Sequence, residues 1–266
     1  MGASPRPSDA ALTAFGIDLS DAAVAPERLT GGRGLTWRAG SIVLRPSGAD
    51  DETAWKAEAL AVLPPGAGFR TARPIRSDKQ AWAVDGWEAW EWLAGQPDES
   101  RVAEIVLAGA AFHQALAHLP RPHFLDTADD PWARADRIAW EEQPAPPNEA
   151  LRRLHAAFAP VAEPSQMIHG DLLGNVMFEE HEAPAIIDWA PYWRPAAWGG
   201  AIALADAACW HGLSVERMCS LAGGLPEGRQ LLIRALSFRI ATVELLGHWG
   251  DEMAARHEPV IAAALR

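Results

Sequence analysis

Apolar positions along the chain change their spacing near residue 95. Between residues 26 and 92, β-branched and aromatic side chains fall in short runs broken by Gly and Pro, the pattern of brief strands. Residues 36–38 and 41–45 read as strands around a turn at Ala39 and Gly40, and residues 81–84 and 86–93 as a hairpin about Asp85 and Gly86. One helix interrupts them. Residues 52–63 (ETAWKAEALAVL) set Trp55, Ala59, Val62 and Leu63 at helical spacing, and Pro64 and Pro65 end the run.

From residue 100 onward the period is helical. Val102, Ile105, Phe112, Leu116 and Leu119 line one stripe of a long helix that follows Pro97 and stops at Pro120. A second helix, capped by Asn148, runs through Leu151, Leu154 and Phe158 to Pro160, and two more fill residues 228–249 and 251–265. No repeat period is present, and the Pro-rich residues 143–147 read as a loop between helices. The pattern predicts an α+β chain of two lobes: residues 1–94, small and sheet-bearing, and residues 95–266, larger and mainly helical.

With 266 residues, 49% hydrophobic and 22% charged, the chain can bury a substantial core. Its start has no apolar run behind basic residues, and nowhere do eighteen apolar residues follow one another. Arg6 stands where a myristoylation signal wants Ser or Thr. The expectation is a cytoplasmic protein with no membrane partner. Cys209 and Cys219 lack a second pair, which fits neither a zinc knuckle nor a disulfide framework. A formal net charge of −12 opposes nucleic-acid binding and admits neutral or cationic small molecules. The 13 tryptophans suit core packing and pocket walls.

Chemistry concentrates in residues 168–189, IHGDLLGNVMFEEHEAPAIIDW. Residues 176–178 and 185–187 are short apolar strands around a polar segment, so they are expected to pair as an antiparallel hairpin that Asn175 enters and Asp188 leaves. Opposed residues in such a pair lie about 4.5–5.5 Å apart at Cα, close enough for both side chains to meet one cation. Magnesium favours a few hard oxygen ligands of this kind. Asp171, on the loop before Asn175, would stand beside the cation and accept a proton from an attacking hydroxyl.

HGDLLGN closely resembles the catalytic-loop motif of the aminoglycoside phosphotransferase and choline kinase-like family, and IIDW resembles the metal-binding segment that follows it. The resemblance implies a protein-kinase-like two-lobed fold, with residues 1–94 binding nucleotide and residues 95–266 carrying catalysis and the substrate. It further implies Asp171 as the catalytic aspartate, Asn175 and Asp188 as ligands of Mg2+, and His169 as the residue that holds the loop. Asp206, in ALADAA, resembles the aspartate that braces the loop from a helix. Gly31, Gly32 and Gly34 would cover the phosphates of ATP, since glycines let backbone N–H groups approach closely. Arg45 stands where the family carries a lysine, with Glu58 as its expected helix partner and Glu52 as the alternative. An arginine there is longer, planar and forked, so it is not a neutral replacement. Glu91, Trp92 and Leu93 would form the hinge against adenine, with Trp92 or Trp90 as a pocket wall.

The leading expectation is therefore an ATP- and Mg2+-dependent phosphotransferase acting on a hydroxyl, or less readily an amine, of a small molecule. A nucleotide- or partner-binding protein of the same fold without catalysis is the alternative. A metal-dependent hydrolase would need His169, Asp171, Asp188 and a distant histidine such as His113 or His211, without the paired histidine spacing usual for such sites. Trp132, Trp140, Tyr192, Trp193 and Trp198 are candidates for the acceptor site.

Overall fold

Residues 6–29, 34–64 and 68–266 are described in the computed structural model of the protein. They fall into two compact units, Met1–Pro65 with Arg70–Gly95 and Gly66–Phe69 with Gln96–Arg266. The expected glycine-loop residues Gly31 and Gly32 lie outside the described residues.

The first unit opens with α1 (Asp9–Ala14), capped by Ser8, whose Oγ accepts a hydrogen bond from Ala11 N at 3.0 Å. The strands β1 (Glu27–Arg28), β2 (Trp37–Ala39) and β3 (Ile42–Pro46) follow, then α2 (Asp50–Val62), β4 (Arg70–Thr71), β5 (Pro74–Ile75), β6 (Ala83–Val84) and β7 (Trp87–Glu91). One antiparallel sheet runs in the order β1-β2-β3-β7-β5, with β6 also paired to β7. Asp85 and Gly86 turn β6 into β7 with φ of 50° and 77°, the two left-handed positions of a tight hairpin, as the Asp-Gly pair predicts. Side-chain alternation sends Leu44, Trp87 and Ala89 to one face, where they pack with Leu12 and Phe15. Arg45 and Glu88 go to the other face, directly opposed in register. Helix α2 starts at Asp50, two residues before the expected position, and three acids in its first turn suit the positive helix end. Arg73 Nη1 closes its far end by donating to the carbonyls of Leu60, Ala61 and Leu63 at 3.1, 3.1 and 2.9 Å.

The second unit contains β8 (Gln96–Pro97), α3 (Val102–Leu116), α4 (Phe124–Thr127), α5 (Pro131–Ala139) and α6 (Glu149–His155). Then come β9 (Ser165–His169), β10 (Val176–Phe178), β11 (Ala185–Ile186), β12 (Pro191–Pro195), α7 (Trp198–Trp210), α8 (Val215–Ala222), α9 (Gly228–Leu245) and α10 (Asp251–Leu265). Asn148 caps α6 as the sequence suggests, its Oδ1 accepting from Leu151 N at 3.1 Å. Helix α9 ends four residues before the expected position, because Gly247 takes φ of 73° and the amides of Gly247 and His248 fold back on the carbonyls of Glu244 and Val243. Periodicity gives no sign of α7. Its sequence, WGGAIALADAACW, is apolar on nearly every side, so a helix buried all round shows no stripe. Helix α9 packs against α5, α6 and α7, and Trp198, Phe238, Leu231 and Ile202 are fully buried in that core. Among the described residues, no helix is long and apolar enough to cross a membrane.

Candidate active site

Strand β9 ends at His169 and is held along its length by β12, with Pro191 opposite His169 and Gly170 N donating to Ala190 O at 3.0 Å. The loop Gly170–Gly174 then leads through Asn175 into β10. Two histidines fix its entry. His113 on α3 lies with Nδ1 2.8 Å from Ala196 O, a pure acceptor, so Nδ1 carries the proton and Nε2 accepts from His169 N at 2.9 Å. Burial pushes His113 down from its ordinary 6.5 to about 3, so it stays neutral and keeps that tautomer. His169 repeats the device: its Nδ1 accepts from Asp171 N at 3.1 Å, which leaves Nε2 to donate to Ile187 O at 3.1 Å. Both rings are thus committed to the backbone, and this removes the support for reading them as ligands of a hydrolase metal.

Packing at this point is close. A Cβ on Gly199, at the start of α7, would lie 2.5 Å from His169 O and 2.7 Å from His113 Cε1, and one on Gly170 would lie 2.4 Å from Tyr192 Cδ2. Only glycine lets helix and loop approach this far. Trp189 Nε1 adds a hydrogen bond to Ile168 O at 2.9 Å.

Asp171 is half exposed and held at both carboxylate oxygens. Oδ1 accepts from Arg239 Nη2 at 2.7 Å, and Oδ2 accepts from Asn175 Nδ2 at 3.3 Å. Arg239, on α9, also grips the buried Asp206 of α7: Nε donates to its two oxygens at 2.8 and 3.0 Å, and Nη2 to Oδ2 at 2.5 Å. Burial alone would lower the arginine pKa, but the carboxylates of Asp206 and Asp171 overcome it and hold the guanidinium protonated. Asp206 thus reaches the loop through Arg239. The sequence signal for Arg239 is a charged residue inside the apolar stretch SFRIATV of α9.

The hairpin forms as expected, with a different pairing. Val176 opposes Ile186, and Ile187 N donates to Asn175 O at 3.0 Å, so Asn175 faces Ile187 and Asp188 lies one residue further on. Asp188 is exposed and takes left-handed φ of 50°, a conformation that aspartate tolerates better than most residues. Asn175 spends its amide nitrogen on Asp171 O at 2.7 Å, and its Oδ1 takes no hydrogen bond among the described residues. A hard carbonyl oxygen and a carboxylate at the two ends of one short hairpin form a donor set that suits Mg2+.

In the first unit, Gly34 has φ of 66° and its carbonyl accepts from Arg28 Nε at 2.6 Å. Arg45 Nε donates to Glu88 Oε1 across the sheet, with the guanidinium 5.1 Å from the Trp90 ring. The expected helix partner differs: Glu58 lies exposed on α2, and Glu52 pairs with Lys56 at 3.0 Å. The strand ladder supplies the nearer carboxylate. Arg38 stacks over Trp92 at 4.2 Å.

A cavity of about 270 Å3 opens beside Asp171, with Asp206, Arg239, Trp210, Thr242 and Val243 among its walls. Of the aromatic acceptor candidates, Trp140 and Tyr192 meet Trp198 edge-on at 5.5 and 6.1 Å, and Tyr192 also packs against Gly170 of the loop. Trp210 lines the cavity.

Residues 35–192 match the sequence profile of the phosphotransferase enzyme family. No curated protein matches the chain. Among solved structures, an aminoglycoside phosphotransferase from Alicyclobacillus acidocaldarius subsp. acidocaldarius is 16% identical with a TM-score of 0.60, over 99% of this chain and 96% of that one. A microcompartment-associated aminopropanol kinase is 16% identical with a TM-score of 0.61, over 96% and 94%. A spectinomycin phosphotransferase solved with ADP and spectinomycin is 12% identical with a TM-score of 0.54, over 90% and 92%. These likenesses show the fold, which is the α+β, kinase-like one that the sequence predicts.

Proposed function

Because the chain belongs to the phosphotransferase enzyme family, we propose that it transfers the γ-phosphate of ATP, with Mg2+, to a hydroxyl of a small molecule. The observation that carries this reading is the Asp171 carboxylate, anchored by Arg239 and Asn175 and facing a cavity of about 270 Å3. ATP as donor draws support from the ADP bound to the spectinomycin phosphotransferase of the same fold. The assignment gives residues 1–94 to the nucleotide and residues 95–266 to catalysis and the acceptor, with Gly31, Gly32, Gly34 and Arg45 meeting phosphates.

In this mechanism Asp171 accepts a hydrogen bond from the acceptor hydroxyl, aims its oxygen at phosphorus and takes its proton as the new P–O bond forms and ADP departs. Arg239 and Asn175 fix the direction of the carboxylate, so little reorganisation is needed during transfer. His113 and His169 hold the loop backbone in place. Asn175 Oδ1 and the Asp188 carboxylate would hold Mg2+, which when bound neutralises phosphate charge. A binding protein without transfer would rest on Arg45 alone, whereas Asp171, Asn175 and Asp188 are all present.

Thermal melting with ATP, with and without Mg2+, tests the nucleotide part of this reading without knowledge of the acceptor. A ligand bound only to the folded state raises the melting temperature. The wild type is expected to show a Mg2+-dependent rise of several degrees that Asp188→Asn loses. No rise at millimolar ATP in the wild type would overturn the proposal.

A further inference from the structure

We propose that Glu88, on β7, is the positioning residue for the phosphate-binding Arg45, taking the part expected of a glutamate on α2. The inference rests on the nucleotide site proposed above. Its basis is the strand ladder: Arg45 and Glu88 are directly opposed across β3 and β7, so alternation puts both on the same face of the sheet, away from the Leu12 and Phe15 core.

Glu88 is only 3% exposed, yet it is a carboxylate, and a buried carboxylate demands a counter-charge. Arg45 Nε answers one oxygen, Oε1. The other, Oε2, is sealed from solvent and takes no hydrogen bond among the described residues. A buried ion pair is weak evidence for stability, all the more when one acceptor is left unanswered. The physical effect of Glu88 is instead to fix where the guanidinium stands, with the Trp90 ring beside it at 5.1 Å. Helix α2 contributes no such carboxylate, since Glu52 is spent on Lys56 and Glu58 faces solvent.

The consequence is mechanical. A carboxylate on a helix shifts with that helix, whereas the register of β3 on β7 fixes the backbone positions of Arg45 and Glu88 relative to each other. The Glu88 contact to Arg45 therefore does not depend on the position of α2.

Calorimetric titration of the full chain with MgATP and, separately, with adenosine tests this. Adenosine lacks the phosphates, so a positioning role for Arg45 shows only with MgATP. Glu88→Gln is expected to weaken MgATP binding about tenfold while adenosine binding stays within twofold, and Glu88→Asp, which keeps the charge and protects the fold, is expected to lose less. Unchanged MgATP binding in Glu88→Gln, or equal losses for both ligands, would overturn the proposal. So would a loss confined to Glu58→Gln, which returns the role to α2. A wild type that binds no MgATP removes the nucleotide site itself and this inference with it, an outcome separated from the others by the wild-type titration alone.

Discussion

Asp206 and Glu88 are both carboxylates withdrawn from water and answered by an arginine, but they are built differently. Glu88 meets Arg45 because two neighbouring strands are in register, and its Oε2 takes no hydrogen bond among the described residues. Asp206 meets Arg239 because α7 packs on α9, both its oxygens are bonded, and the same guanidinium continues to Asp171. A strand ladder fixes a pair through the local register of two neighbouring strands. Helix packing carries a contact onward, so what disturbs α9 in the second unit also reaches the Asp171 carboxylate.

The sharpest test of this contrast lies at the end of the helical network. Asp171→Asn keeps the shape and removes the basic oxygen, so acceptor-dependent ADP release is expected to fall about 1,000-fold while MgATP affinity is kept, as steady-state kinetics and titration would show. Turnover within tenfold of the wild type would take Asp171 out of the mechanism.

One step back in the network, Arg239→Met leaves Asp206 buried without a counter-charge. A loss of about 3–5 kcal/mol in urea unfolding is expected, with a fall in transfer even at pH 7 where the variant is still folded. Lost stability with intact turnover would mean that Arg239 braces the fold and does not aim Asp171.

The smallest expected effect is a slope with pH. All nine histidines lie beyond Phe112, so acid sensitivity of histidine origin belongs to the second unit alone. Burial holds His113 at about 3 in the folded state, while the unfolded chain takes up its proton near 6.5. The unfolded state therefore binds more protons between these values, and stability is lost as pH falls from 6.5 toward 3, by about 1.4 kcal/mol per pH unit for this group. Burial shifts His155 and His257 the same way. Urea midpoints at pH 7, 6 and 5 should decline, and less steeply in His113→Gln. An unchanged slope in that variant would assign the sensitivity to the other two.

What the sequence determined by itself is what neighbours along the chain decide. The Asp85-Gly86 turn, the Asn148 cap, the helix of residues 102–116 and the hairpin after Asn175 are each set by a few adjacent residues, whose backbone preferences and spacing need no distant partner. The HGDLLGN loop was legible for the same reason, and it brought the family and the fold with it. Tertiary structure decided the rest. His113 and His169 are 56 residues apart, Arg239 and Asp171 68 apart, and Arg45 and Glu88 43 apart. No local pattern encodes which of several acids an arginine will meet: Glu58 and Glu88 were equally present in the sequence, and only the register of β3 on β7 chose between them. The hairpin makes the same point at shorter range, since a shift of one residue in pairing sets Asn175 against Ile187. Side chains alternate with a period of two, so such a shift changes which groups face one another while the apolar pattern that announces the strands stays the same.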